Sequence, residues 1–390
     1  MKLVALKTFN FRNLSENPPE FHDGINVLYG DNAAGKTNTL EAIYLFATGK
    51  SFRTRNEKDF IRHGENYARA EIMYENESFC REMSVTYLAN GQKAVKGMQI
   101  GGIGVDRVSE FLGNFRAVLF TPDHLELVKG APEERRRLID MALCQIQPRF
   151  IKNLNEYAKV LAQRNNYLKG IKFSGKGADL DYIDVLNMQL AKAGATVTKQ
   201  RALYCEKLAD ISSRMYAHLT GGAETLNVRY VSRIKNRSFN DENGLSEALY
   251  EMYKSDTPRD IELAKTSHGP HHDELMIYLG KQGENISFDD DGEEETLSEY
   301  AARTFGSQGQ QRSAVLAIKL SEGEIIKEKC GEYPVFLLDD LFSELDDKRR
   351  RKLVEMFCDR QCIITCCDRA ALPDGIDMNV INVEGGRYKN

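Results

Sequence analysis

The sequence predicts an α/β protein that has a β-rich lobe and an inserted α-helical arm. Three observations lead to this fold class. A glycine-rich segment, Gly30–Thr37, stands between an apolar strand pattern and an amphipathic helix pattern. A second apolar run, Val335–Leu338, is followed directly by two aspartates. Between them, residues 133–216 carry apolar side chains at helical spacing. Together these features predict α/β segments at both ends of the chain and a helical region between them.

The composition is that of an ordinary globular protein. The chain has 390 residues, 42% of them hydrophobic and 28% charged, which suggests two or three domains. It has no apolar stretch of the roughly 18 residues that a membrane helix needs, and residues 1–7 lack a signal-peptide pattern. We therefore expect a cytoplasmic protein with no membrane partner, whose eight cysteines are reduced. The net charge of −5 restricts any nucleic-acid site to a local basic patch.

The N-terminal part alternates strand and helix patterns. Residues 2–9 and 24–29 are predicted strands, and residues 38–47 have the apolar spacing of a helix. Residues 66–120 are β-rich: the candidate strands are 71–74, 81–87 and 116–120, with a glycine turn at 101–104.

The helical insertion is predicted to be an arm of two antiparallel helices. Each would have roughly 25–30 residues, which gives a length of about 40 Å. The glycine-rich residues 170–179 would form the tip. From Ile151 to Tyr216 there are 11 Lys and Arg against 6 Asp and Glu. These basic residues of the arm are candidates for DNA contact, although a solvated helix face explains them equally well.

The predicted domain boundaries follow from this change of pattern. They are 1–132 and 227–390 for the two parts of the α/β head and 133–226 for the inserted arm. The acidic residues 284–299 lack apolar framing and are predicted to form a solvated loop.

The glycine-rich segment matches the P-loop pattern G-x-x-x-x-G-K-[ST]. Its glycines let successive backbone N–H groups point at phosphates, and the following helix adds its positive end. Lys36 would reach the β- and γ-phosphates of ATP, and the Thr37 hydroxyl would bind Mg²⁺. The predicted ATP-binding residues are Gly30, Asp31, Asn32, Ala33, Ala34, Gly35, Lys36, Thr37 and Asn38.

The second half of such a site is the apolar run that ends in two acids. A buried strand of this kind carries a carboxylate to the side of the P-loop. We assign Asp339 to Mg²⁺, with Thr37, and Asp340 to polarising the attacking water. Lys36 and Asp340 are thus the predicted catalytic residues.

A further phosphate-binding surface is predicted at residues 306–313, where small residues open an apolar helix. Ser307–Gln311 resembles the signature motif of ABC-type ATPases, and Ser343–Asp346 resembles their D-loop. In that superfamily the signature of one head contacts the γ-phosphate in the P-loop of another. The resemblance therefore implies contacts across a dimer by Ser307, Gly309 and Gln310, with Ser343 and Asp346 in the D-loop.

Within that superfamily the chain resembles the RecF family in particular. The segments that carry the resemblance are Asn10–Asn13, Gly35–Asn38, Leu40–Tyr44, Ala47–Thr54, Phe120–Asp123, Leu125–Gly130, Arg135–Arg137, Gly269–His271, Phe305–Ala314 and Leu337–Leu345. The resemblance implies an ABC-type head built from both ends of the chain, with a helical arm inserted. It also implies a slow ATPase that binds double-stranded DNA and gap junctions as an ATP-sandwiched homodimer. Such proteins act with RecO and RecR to load RecA, and hydrolysis would release the DNA.

Some positions depart from the family pattern or leave a role open. His272 stands where an arginine is expected, and Cys366 and Cys367 stand where transporter-type heads carry a switch histidine. Arg12, Arg53 and Thr365 are weaker candidates for nucleotide contacts, with Thr365 as a sensor of the γ-phosphate. Metal binding by the histidines at 268–272 is disfavoured, because the Gly269-Pro270 turn interrupts any helix there.

Three other functions compete with this interpretation. An SMC- or Rad50-like architectural ATPase would carry longer coiled coils and a hook. An ABC transport ATPase would carry the switch histidine and couple to a membrane partner. A nuclease of the overcoming-lysogeny type would have a second acidic, metal-binding domain after the head.

Overall fold

The structure is a computed structural model. It describes residues 1–174, 179–234, 238–281, 301–302, 306–369, 372–373 and 375–389. The predicted acidic loop at 284–299 and part of the predicted tip at 170–179 lie outside the described residues.

The described parts of the chain form both strands and helices. The strands are β1 Lys2–Phe9, β2 Ile25–Tyr29, β3 Tyr67–Glu75, β4 Cys80–Asn90, β5 Lys93–Ile100, β6 Ile103–Gly104, β7 Ala117–Phe120, β8 Glu224–Val231, β9 Glu274–Lys281, β10 Val335–Leu338, β11 Cys362–Cys366, β12 Asn379–Glu384 and β13 Arg387–Lys389. The helices are α1 Lys36–Thr48, α2 Val108–Phe111, α3 Glu126–Lys129, α4 Pro132–Ile146, α5 Phe150–Ser174, α6 Leu180–Thr220, α7 Glu242–Leu263, α8 Gln308–Cys330 and α9 Asp347–Glu355. Short 3₁₀ helices occupy 57–60, 122–125 and 341–344.

The chain divides into two compact units. The first comprises residues 1–125, 215–222 and 308–390, and the second comprises 126–214 and 223–307. This grouping differs from the predicted boundaries after residue 226. Residues 227–307 group with the helices because β8 pairs with β9 along its whole length and α7 packs on α5.

A six-stranded sheet forms the centre of the first unit, in the order β13-β12-β2-β11-β10-β7. All its pairings are parallel except that of β12 with β13. Strands β7, β10 and β11 are buried at every position, which explains their uninterrupted apolar sequence. Because β2, β10 and β11 are parallel, the segments that follow their carboxyl ends meet at one edge of the sheet.

A second sheet in this unit is antiparallel, in the order β1-β3-β4-β5-β6, and is the predicted β-rich lobe. The predicted strand at residues 2–9 is confirmed as β1, and those at 71–74 and 81–87 fall within β3 and β4. Phe60 packs between Phe11 and Tyr87, with ring centroids 5.4 and 4.6 Å apart, and so joins the lobe to the segment after β1.

The second unit is helical, as predicted, but its bundle has three long helices instead of two. Helix α5 has 25 residues, α6 has 41 and α7 has 22. The side chain of Arg164, on α5, is fully buried and joins all three helices. It donates to Asn187 on α6 at 2.8 Å and to Asp260 on α7 at 2.6 Å. The sequence pattern placed Arg164 among the basic residues of a solvated arm, whereas the structure places it in the core.

This buried ion pair yields a stability prediction. Replacing Arg164 by Ala leaves the Asp260 carboxylate buried without its cation, so we expect the free energy of unfolding to fall by about 3–5 kcal/mol. Urea unfolding followed by helical circular dichroism measures the change. Lys169→Ala, an exposed position on the same helix, should change it by less than about 0.5 kcal/mol. The double variant Arg164→Met/Asp260→Leu should recover most of the loss. An unchanged midpoint for Arg164→Ala would contradict this account.

Candidate nucleotide site

The P-loop runs from the end of β2 into α1, at the carboxyl edge of the parallel sheet. Gly30 is required by space, since a Cβ there would lie 2.2 Å from the Val383 carbonyl oxygen. Gly35 precedes α1 with φ of 117°, and Ala33 also has a positive φ, of 64°. These values curl the backbone so that its N–H groups turn inward, as anion binding requires.

Lys36 lies inside this curl and is only 7% exposed. An ammonium group has three N–H donors, and three acceptors lie around this one. They are the Gly30 carbonyl at 2.6 Å, the Asp31 carbonyl at 2.8 Å and the Cys367 sulfur at 3.2 Å. Sulfur is a weak acceptor, so the Cys367 contact is the one that a phosphate oxygen would most readily replace.

Thr37 and Asp339 form the second feature of the site. The Thr37 hydroxyl donates to Asp339 Oδ1 at 2.9 Å, and the Thr365 hydroxyl donates to the same oxygen at 2.8 Å. The Thr365 hydroxyl also accepts from the backbone N–H of Asp340, at 2.8 Å. Thr365 is 1% exposed, so its hydroxyl supports the two aspartates rather than pointing into open space.

The two aspartates differ in environment. Burial raises the pKa of Asp339, the hydrogen bonds from Thr365 and Thr37 lower it, and the nearby Asp340 charge raises it further. A hydroxyl and a carboxylate oxygen at the end of a P-loop are the hard oxygen donors that suit Mg²⁺, so these residues fit the predicted ion. Asp340 has a left-handed φ of 48°, which its hydrogen bond to Thr365 stabilises.

Two segments that the sequence analysis did not assign to the site hold the P-loop in place. The Asn13 side chain donates to the Ala33 carbonyl at 3.1 Å. The backbone N–H of Gly386, in the β12–β13 turn, donates to the Ala34 carbonyl at 2.7 Å. A Cβ at Gly386 would lie 1.8 Å from the Asn13 carbonyl oxygen, so the two segments touch. Asn10–Asn13 had carried part of the family resemblance, but no sequence signal marked Gly386.

The candidate arginines have different positions. Arg12 binds Glu41 of α1 with two hydrogen bonds, of 2.6 and 2.9 Å, and Glu41 is fully buried. Arg12 therefore anchors the segment before the P-loop to the helix after it. Arg53 is 44% exposed, donates to Asn38 Oδ1 at 2.6 Å and lies near enough to Asp339 to lower its pKa. Of the two, Arg53 lies on the side of Asn38 and Asp339.

The sequence matches known proteins across almost the whole chain. The family model described as the RecF/RecN/SMC N-terminal domain matches residues 2–384. The DNA replication and repair protein RecF of Clostridioides difficile (strain 630) is 37% identical over 394 residues, which cover 99% of this chain and 97% of that protein.

The chain belongs to the RecF family.

Solved RecF structures agree with this assignment. A recombination mediator protein RecF in complex with ATPrS, from the RecFOR pathway, has a TM-score of 0.86 and 30% identity. It covers 100% of this chain, which covers 97% of it. The ATP complex of RecF has a TM-score of 0.85 and 30% identity, with coverages of 99% and 96%. The predicted fold class, an ABC-type ATPase head with an inserted helical arm, is confirmed.

The signature segment of this RecF-family chain lies at the start of α8. Ser307 is exposed and precedes the helix, and Gly309 and Gln310 are in its first turn. In the D-loop segment, Asp346 caps α9 by accepting from the backbone N–H of Arg349 at 2.9 Å, which lowers the pKa of Asp346. Ser343 lies in the 3₁₀ helix 341–344, and its side chain falls outside the described part of the structure.

The residues that had invited a metal interpretation have partners of other kinds. His271 contacts the Tyr157 hydroxyl and the Thr266 carbonyl, and burial lowers its pKa to about 4. His268 pairs with Asp256. Within the described ranges, no cluster of three or more His, Cys, Asp or Glu side chains is arranged to hold a metal ion.

Two further results concern the arm and the membrane. Of its basic residues, Arg164 is buried against Asp260 and Arg201 is buried against Asp140. The exposed ones, from which any DNA contact by the arm would come, are Lys152, Lys159, Lys169, Lys172, Lys192 and Arg214. In the described part of the chain, no helix is both long and apolar enough to cross a bilayer.

The contact between Cys367 and Lys36 yields a prediction. The Cys367 thiol is exposed, donates to Asn32 at 3.0 Å and lies against the lysine that would bind phosphate. Saturating ATP should therefore slow alkylation of Cys367 by iodoacetamide by about tenfold or more, because occupied sites shield the thiol. Peptide mass spectrometry measures the rate at each cysteine.

Cys80 and Cys358 are also exposed and serve as internal controls, since neither makes a P-loop contact. Their alkylation rates should not change with ATP. Unprotected Cys367 at an ATP concentration that saturates binding would place the nucleotide elsewhere.

Proposed function

We propose that this chain is an ATP-dependent DNA-binding protein of recombinational DNA repair and replication. The observation that carries the proposal is the site formed by the P-loop and the Thr37–Asp339–Thr365 cluster, within a chain that matches RecF proteins over its full length. A slow ATPase reaction would serve to release DNA, so catalysis is subordinate to binding.

ATP binding would exchange contacts that exist already. Lys36 would give up the Cys367 sulfur, and if needed a carbonyl, to donate to the β- and γ-phosphates. The backbone N–H groups of the P-loop and the positive end of α1 would bind the remaining phosphate oxygens. RecF structures with ATP support ATP as the ligand. Thr37 and Asp339 would hold Mg²⁺, which supplies charge neutralisation at the phosphates.

Hydrolysis would depend on Asp340. Its backbone is fixed by the hydrogen bond to Thr365, and it follows the residue assigned to the metal. A carboxylate in that place can orient water and accept its proton. Arg53 lies on the same side and could stabilise charge on the phosphates.

A second copy of the chain would complete each ATP site. Ser307, Gly309 and Gln310 open α8 with small and polar groups, which suit a phosphate at a helix start. By the relation known for ABC-type ATPases, they would contact the γ-phosphate bound by the partner's P-loop, with Ser343 and Asp346 at the joint. The homodimer would then form with ATP and separate after hydrolysis.

The dimer would hold double-stranded DNA and gap junctions and would support RecA loading with RecO and RecR. The exposed lysines of the arm provide cations for phosphate contacts. A structure of RecF from the RecFOR pathway has a TM-score of 0.86 to this chain, and this likeness supports these partners. An SMC- or Rad50-like architectural role is the alternative, and α5, with only 25 residues, is short for such a coiled coil.

The hydrolysis assignment is tested by Asp340→Asn. Because the base is removed and the P-loop is unchanged, ATP binding should persist while phosphate release slows by about 100-fold or more. The lifetime of the DNA complex in ATP should lengthen accordingly, as measured by dissociation of fluorescent gapped DNA.

Lys36→Ala is the matched control, since it should abolish ATP binding and with it any ATP-dependent retention of DNA. Wild-type turnover by Asp340→Asn would reject the base role. If neither the two variants nor the wild-type protein binds DNA, the proposed function is rejected.

A further inference from the structure

A basic cavity lies in the second unit. None of the residues that line it is assigned to ATP binding. Its volume is about 240 Å³. The polar residues that line it are Arg233, Arg259, Lys265, Ser267, His268 and His272. They come from the segment after β8, from α7, from the loop after α7 and from the residue pair before β9. Among the residues that the structure describes, no carboxylate lines the cavity.

One arginine of the cavity is held in place by a chain of hydrogen bonds. Arg233 Nη1 lies 2.6 Å from His268 Nε2, and His268 Nδ1 contacts the Asp256 carboxylate. A guanidinium can only donate, so Nε2 accepts and Nδ1 carries the hydrogen that is given to Asp256. His268 therefore orients Arg233, whose other N–H groups point to a role in binding a ligand.

The other two cations, Arg259 and Lys265, are exposed. Within the described ranges neither forms an ion pair with a carboxylate. Burial lowers the pKa of His272, and the nearby charges of Arg136 and Arg233 lower it further. Cations gathered in one cavity repel one another, and an anion that enters would relieve this repulsion.

We propose that this cavity binds a backbone phosphate of duplex DNA, through Arg233, Arg259 and Lys265. The inference rests on the proposed function and adds a DNA contact outside the arm. Guanidinium and ammonium groups are the usual donors to phosphate. The Ser267 hydroxyl lies beside them and already donates to Asp260 at 2.6 Å. Contacts to phosphate position DNA without reading its sequence, so the cavity should bind duplexes of unrelated sequence equally well.

The test is the salt dependence of DNA binding by Arg259→Gln and by Arg259→Gln/Lys265→Gln. Fluorescence anisotropy with two duplexes of unrelated sequence, in ATP and 50–300 mM NaCl, gives the slope of log K against log[NaCl]. Loss of one phosphate contact should make this slope shallower by about 1, equally for both duplexes. Lys254→Gln, on the same helix but outside the cavity, is the matched control and should keep the wild-type slope.

Unchanged ATP affinity and an unchanged unfolding temperature would show that the variants fold. A wild-type slope in the double variant overturns the cavity inference and leaves the proposed function standing. A wild-type protein that binds no DNA overturns the proposed function instead.

A second experiment distinguishes binding of DNA phosphate from binding of free phosphate. Sodium phosphate is compared with NaCl at equal ionic strength for its effect on the unfolding temperature. If phosphate stabilises only the wild type while the DNA slope stays unchanged in the double variant, the cavity serves free phosphate, and the DNA assignment is overturned.

Discussion

The nucleotide site depends on one oxygen atom, Asp339 Oδ1, which accepts hydrogen bonds from both Thr37 and Thr365. These residues follow or end three different strands, and the bonds form only if β10, β11 and β2 lie side by side and in register. The parallel pairing of Phe336 with Cys362 and of Ile363 with Asn26 sets that register. After the helical insertion, the chain must therefore return and add β10 and β11 to the sheet that contains β2.

The site also contains buried charged groups, and bound ligands would offset the cost of their burial. Lys36 is buried and satisfied by two carbonyls and a sulfur, which are weaker partners than phosphate oxygens. Asp339 is buried beside Asp340, so its pKa is raised. A divalent cation with the negative phosphates would satisfy both groups at once. The binding geometry is thus formed before any ligand binds. The cost is that Lys36 and Asp339 are buried without the phosphates and the cation that would pair with them.

Local patterns predicted the parts of the site that depend on short stretches of sequence. The strand before the P-loop, the helix after Gly35 and the strand before Asp339 each occupy one continuous segment, so spacing and residue type predicted these elements, and the structure has them as β2, α1 and β10. Contacts between distant segments were not predictable in this way. Gly386 supports the P-loop from the other end of the chain, and Thr365 supports Asp339 and Asp340 from a neighbouring strand. Likewise, Arg164 looked like a surface cation because its partner Asp260 lies on a helix outside the predicted arm.

We propose that ATP joins two copies of this chain through the P-loop of one and Ser307 of the other. Sedimentation of the purified protein, with and without ATP, Mg²⁺ and gapped DNA, measures this association. We expect a shift from monomer to dimer with ATP, retention of DNA by the dimer, and a Ser307→Arg variant that binds ATP but remains monomeric. A wild-type protein that stays monomeric in saturating ATP, or a Ser307→Arg variant that dimerises, would contradict it.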